Sequence, residues 1–220
     1  MKNLKNALLL KQLHLLKILG YNYTSVNVFK EEEPNLNLPD TLEKLKKQAS
    51  ECYLCELSKS RSKVLFGTGD ENANIMFVGD APSLAEDEAG EPFTGRSADL
   101  LTKMIENVLN IPKSDVYITN ILKCKTNNNE KPTQVQAHTC QAFLLKQIEL
   151  IKPKIVVALG EVSYYYLSGN DGKLSEVRGV VHKQNGYNLI ATFHPNYLLR
   201  NPSAKKDAFE DLKLIKELMN

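Results

Sequence analysis

Asp80, Asn120 and His194 stand at equivalent places in the chain. Each comes at or directly after the end of a short apolar run: Ile75-Met76-Phe77-Val78 before Gly79-Asp80, Val116–Asn120, and Leu189–Phe193 before His194. Short, continuously apolar runs bounded by polar or turn residues are the pattern of strands buried on both faces. Ligands of open parallel α/β sheets bind outside the carboxyl ends of such strands. A carboxylate, an amide and an imidazole more than 100 positions apart are thereby expected to meet in one pocket. Taken singly, Asp80 could start a turn, Asn120 could cap, and His194 could be a hydrogen-bonded core histidine. Their shared placement favours a site.

The four cysteines offer a second chemistry. Cys52 and Cys55 form a C-x2-C pair, and Cys124 and Cys140 form a wider one with 15 residues between them. Four thiolates suit either a structural zinc ion or an iron–sulfur cluster, and spacing does not separate the two. Either would tie residues 41–66 to the loop after the second strand, closing a long segment.

Two further segments carry function-bearing residues. Gly79 to Ser97 is a long strand-to-helix loop rich in glycine and acids, with Phe93 as an aromatic platform between Pro92 and Thr94-Gly95. The segment 194–200, HPNYLLR, opens a loop in which Arg200, Lys205 and Lys206 are unopposed by acids up to residue 206. Exposed leucine or tyrosine beside such bases suits entry into a nucleic-acid groove.

The elements that must position these residues alternate. After the first strand come helical spacing over 97–109, a strand at Val116–Asn120, a helix over 133–151 closed by Lys152-Pro153, a strand at Ile155–Leu159, a short helix from Glu161, a strand at Leu189–Phe193 and a helix over 203–219. This order predicts a three-layer α/β/α domain around a central four-stranded parallel sheet. Residues 1–19 read as an amphipathic helix with Lys11, Gln12, His14 and Lys17 interrupting its apolar face. These interruptions, with no small-residue cleavage site after them, argue against a signal peptide and a membrane span. Residues 1–40 are expected to be a helical extension and linker, and 41–220 the main domain. A net charge of +2 with 42% apolar and 25% charged residues excludes a disordered or polybasic chain. Four cysteines are too few for a disulfide scaffold, so a reducing cytoplasmic setting is expected.

Taken together, the motifs resemble those of family 4 uracil-DNA glycosylases, the iron–sulfur branch of that superfamily. The resemblance runs from Cys52 to the C-terminus through C-x2-C, GDAPS at 79–83, Glu86-Asp87, GEPFTGRSADLL at 90–101, VYITNILKCK at 116–125, Cys140, VVALG at 156–160, Arg178-Gly179 and HPNYLLR. It implies a monofunctional hydrolase of N-glycosyl bonds. Such an enzyme flips deoxyuridine out of DNA, releases uracil and leaves an abasic site in base excision repair.

The resemblance implies that Phe93 stacks on uracil, Asn120 reads its polar edge, His194 stabilises the departing base and Asp80 positions water. It places Ala81, Pro82, Ser83 and Glu86 in the substrate pocket and Tyr197, Leu198, Leu199 and Arg200 on DNA. It makes Cys52, Cys55, Cys124 and Cys140 ligands of a [4Fe-4S] cluster, zinc being the alternative. A glycosylase for another deaminated base, or a non-catalytic DNA-binding module, is the rival reading. The family usually carries glutamate at the place of Asp80 and glycine at that of Ser83. Lys125–Pro132 has no histidine, unlike the branch that crosslinks to DNA. The protein is expected to be a monomer near the nucleoid, without membrane contact, with residues 1–19 available to a protein partner.

Overall fold

The computed structural model describes residues 38–219. The expected helix within residues 1–19 and most of the linker lie outside the described residues. Thr41 opens the first described helix, α1 (Leu42–Ser50), by accepting a hydrogen bond from the Lys44 N–H. There follow β1 (Thr68–Gly69), β2 (Ile75–Gly79), α2 (Leu84–Ala89) and α3 (Arg96–Met104). The last of these runs on through a wider π-helical turn, Ile105–Leu109. Then come β3 (Tyr117–Asn120), α4 (Gln134–Ile151), β4 (Ile155–Leu159), α5 (Glu161–Ser168), α6 (Leu174–Val177), β5 (Val181–Lys183), β6 (Asn188–Thr192), α7 (Pro195–Arg200) and α8 (Lys205–Met219).

The sheet is six-stranded and mixed, in the order β1-β3-β2-β4-β6-β5. This corrects the four-stranded parallel expectation. The four expected strands are its parallel centre, and β1 and β5 add an antiparallel strand at each edge. The edge strands escape a reading based on apolar runs. β1 has only two residues, and none of the three residues of β5 is fully buried.

Alternation along the central strands builds two cores. Met76, Val78, Val156, Ala158, Leu189 and Ala191 face one layer, against α1, α4 and Tyr164 of α5. Phe77, Ile118, Val157, Leu159 and Ile190 face the other, against α3, Leu198 of α7 and α8. The sheet is thus covered on both sides, as a parallel centre requires. Among the described residues no helix is long and apolar enough to cross a membrane.

Two segments expected as loops contain helices. Ser83 caps α2 through a reciprocal box with Glu86. His194 caps α7, with Pro195 in its first turn.

Candidate active site

The carboxyl ends of the parallel strands bring the three expected residues together. Gly79 and Asn120 are partners in the β2–β3 register. Beyond it, the Ile121 N–H donates to Gly79 O at 2.9 Å and the Leu122 N–H to Asp80 O at 3.0 Å. These bonds hold the chain that carries Asp80 against the chain that carries Asn120. A methyl group built on Gly79 would lie 2.3 Å from Asn120 Oδ1 and 3.6 Å from His194 Nε2. The amide and the imidazole therefore meet over this one glycine, in space that any side chain at 79 would fill. A methyl group built on Gly160, just after β4, would make only ordinary contact with His194 Cβ, at 3.5 Å.

Each group is tuned by its surroundings. His194 Nδ1 accepts the Asn196 N–H at 3.1 Å, so the proton of the neutral ring sits on Nε2, the nitrogen nearest Gly79. Burial, with the Arg200 charge assisting, brings the His194 pKa down to about 4, which keeps the ring neutral at ordinary pH. Asp80 Oδ1 accepts the Ser163 N–H, in the first turn of α5, at 3.0 Å. Burial raises the Asp80 carboxyl to about 6 despite that hydrogen bond.

The loop after β2 is folded back by buried carboxylates. Glu86 Oε2 accepts from the Ser83 N–H at 2.6 Å and the Ser83 hydroxyl at 2.8 Å, while Oε1 accepts the Phe93 N–H at 2.7 Å. Phe93 is held in the left-handed region, at φ 58°, a conformation non-glycine residues adopt only when their surroundings impose it. Glu86 thus ties the cap of α2 to the backbone of Phe93. The Ser83 hydroxyl is likewise engaged in capping α2. Ala81 and Ser83 are half-buried and Pro82 buried. Asp87 accepts the Ser62 N–H on both oxygens, at 3.0 and 2.9 Å.

Cys52, Cys55, Cys124 and Cys140 line one pocket with Arg61 and Lys123. Arg61 Nη1 donates to Cys124 Sγ at 3.3 Å, and the Lys123 N–H donates to Cys140 Sγ at 3.4 Å. Burial pushes the Cys140 thiol up to about 12. Among the described residues no three His, Cys, Asp or Glu side chains close on a single point as the ligands of one ion would. Ala81 packs against the same small apolar cluster as Cys55, Cys124 and Cys140. The thiol pocket therefore backs onto the chain that carries Asp80.

The segment 197–200 differs from expectation. It is helical, and Leu198 is 1% exposed in the core, because the turn of α7 directs it at the sheet. Leu198 therefore faces the core and offers no surface to DNA, contrary to expectation. Leu199 is half-buried, while Tyr197 and Arg200 are exposed.

Several residues of the site lay beyond sequence reasoning. Ser163 shows itself only through its place in the helix after Gly160. Lys123, 2% exposed, gives its ammonium to Thr119 Oγ1 and Asn120 O, both at 2.7 Å. A lysine directly before Cys124 reads as a surface charge until the fold buries it.

A family model described as the uracil DNA glycosylase superfamily matches residues 66–214. The chain is 38% identical to a type-4 uracil-DNA glycosylase of Sulfurisphaera tokodaii, over 81% of this chain and 85% of that protein. It is 36% identical to a type-4 enzyme of Thermotoga maritima, over 82% of this chain and 95% of that one. With a type-4 enzyme of Saccharolobus solfataricus it shares 35% identity, over 82% and 88% of the two chains.

Proposed function

The chain belongs to the type-4 uracil-DNA glycosylases, and from that premise we propose that it flips deoxyuridine out of DNA and hydrolyses its N-glycosidic bond, releasing uracil and leaving an abasic site. The observation that carries the residue roles is the meeting of Asn120 and His194 over Gly79, with Asp80 next in the chain.

Phe93, fixed by Glu86, stacks on the flipped base. The Asn120 amide offers a donor and an acceptor to the polar edge of the pyrimidine, which tells uracil from cytosine. As the bond breaks, negative charge develops on the departing uracil. The neutral His194 Nε2–H is aimed to donate to it, a preorganised electrostatic contribution of about 2.7–4 kcal/mol. Asp80, held by the Ser163 N–H, orients the water that attacks the sugar carbon, and it does so in its ionised form. The backbone of Ala81–Ser83 borders the base, and Leu199 and Arg200 meet the DNA backbone.

The four cysteines lining one pocket support a [4Fe-4S] cluster there, with zinc as the alternative. Bound there, the cluster would supply a covalent clamp between residues 52–55, the chain after β3 and α4. Cys52, Cys55, Cys124 and Cys140 would hold it, with Arg61 and Lys123 offsetting the thiolate charge. Residues 41–220 are the catalytic unit, residues 1–19 are available to a protein partner, and the protein acts as a monomer in the cytoplasm near the nucleoid.

A panel of single-lesion oligonucleotides tests the reading. Deoxyuridine should be excised, and deoxyinosine, deoxyxanthosine and thymidine should not. Excision of a purine lesion in preference to uracil would assign the site to another deaminated base. Tight binding without release of any base would assign it to a non-catalytic module.

A further inference from the structure

Asn120 is buried, yet its main chain stands where the sheet gives out on one side. The Ile121 N–H donates to Gly79 O at 2.9 Å, so residue 121 turns its polar groups toward β2. Successive residues of a strand turn theirs to opposite neighbours, so the Asn120 carbonyl points the other way. On that side β1 pairs only with Tyr117 and Ile118, and the pairing ends before Asn120. A carbonyl buried there without a donor would be destabilising.

Lys123 supplies the donor. It is 2% exposed, and its ammonium donates to Asn120 O and to Thr119 Oγ1, both at 2.7 Å. The Thr119 hydroxyl donates in turn to Phe66 O at 2.8 Å, and Gln147 Nε2 donates to the same carbonyl at 2.9 Å. Lys123 is itself anchored. Its N–H donates to Cys140 Sγ at 3.4 Å, its carbonyl accepts the Leu65 N–H at 2.8 Å, and Cys124 is the next residue. Among the described residues its ammonium forms no ion pair with a carboxylate. Burying a lysine in this way is unfavourable beside a methionine of similar length, so packing alone does not account for it.

We propose that Lys123 is a positioning residue: from its anchor at the four-thiol pocket it holds the Asn120 carbonyl, and so aims the amide that reads uracil. The inference rests on the glycosylase reading, and the two can fail separately. A residue that acts through Asn120 has nothing left to aim once that amide is gone. A double-mutant cycle therefore separates aiming from general support of the fold.

The cycle measures single-turnover release of uracil from a single-stranded oligonucleotide, on proteins shown folded by thermal melting. In the wild-type chain Lys123→Met should lower the rate about tenfold or more. In the Asn120→Ala chain it should change the rate less than about twofold. Free uracil should inhibit Lys123→Met more weakly than wild type, while the visible absorption of the two anaerobically purified proteins should match. Equal losses on both backgrounds, no loss in the wild-type chain, equal inhibition by uracil or a loss of absorption would each overturn the positioning role and leave the glycosylase intact. If Lys123→Met does not fold, Lys123→Gln, one bond shorter, enters the same cycle with the same outcomes. Wild-type protein that releases no uracil would remove the glycosylase reading, and the positioning role with it.

Discussion

Gly79→Ala is the smallest change that tests the site geometry without touching any group placed on the substrate. The new methyl would arrive 2.3 Å from Asn120 Oδ1, and real contacts of this kind essentially never fall below 3.0 Å. Something must therefore move by roughly 0.7 Å or more, in an interior that does not compress. The backbone is a poor candidate. Asn120 is registered against Gly79 in the sheet, and its carbonyl accepts from Lys123 Nζ at 2.7 Å. The Asn120 amide has to turn instead, leaving the orientation in which it faces the base, and His194 Nε2, 3.6 Å from the same methyl, has little room to follow.

Misplacing a positioning group by about 1 Å lowers rates by about 10²-fold, or roughly 2.7 kcal/mol of barrier. Overpacking at this point should also reduce folding stability by about 1–3 kcal/mol. The assay is kcat/KM on a single-stranded deoxyuridine oligonucleotide, at a temperature where thermal unfolding shows the variant folded. A folded Gly79→Ala protein within threefold of wild-type activity would refute the convergence of Asn120 and His194 over residue 79.

Other outcomes follow from the same geometry. The raised carboxyl of Asp80 means the native state holds a proton that the unfolded state releases between the ordinary carboxylate value and about 6. Its ionisation therefore opposes folding as pH rises through that window. Asp80→Asn should be inactive yet more stable at pH 8 by about 1–3 kcal/mol, with the gap closing toward pH 4, as melting curves across pH would record. The acid limb of kcat should fall near pH 6, set by Asp80, and His194, neutral down to about 4, should add a second limb only below that. Glu86→Ala removes the acceptor of the Phe93 and Ser83 N–H groups and should raise KM for substrate at least tenfold in steady-state assays. Cys140→Ser should abolish visible absorption of anaerobically purified protein and lower its melting temperature, whereas zinc in colourless wild-type protein would contradict the cluster.

The central strands were legible because a parallel strand covered on both faces is apolar along most of its length, as Ile75–Val78, Ile155–Leu159 and Leu189–Ala191 are. Polar residues at their ends then stood out, so Asp80, Asn120 and His194 could be found without coordinates. Edge strands β1 and β5 bury too little to leave that signature. The two short helices did leave signals. Ser83 with Glu86 three residues on is a capping box, and Pro195 after a capping His194 is a helix start. Glycine, acids and bases around these signals also fit functional loops, and only the turn of α7 in the finished fold sends Leu198 into the core. The bonds that place the site were not legible at all. Glu86 to Phe93, Ser163 to Asp80 and Lys123 to Asn120 join residues whose types are common and whose meeting depends on the finished sheet.

The central claim is that this constellation hydrolyses the bond between uracil and deoxyribose. Single-turnover reaction of the purified protein with an oligonucleotide bearing one deoxyuridine, with free uracil counted against abasic sites, tests it most directly. One uracil should appear per abasic site, in a strand that stays intact until alkali is added. No free uracil, or a strand cut without alkali, would contradict it.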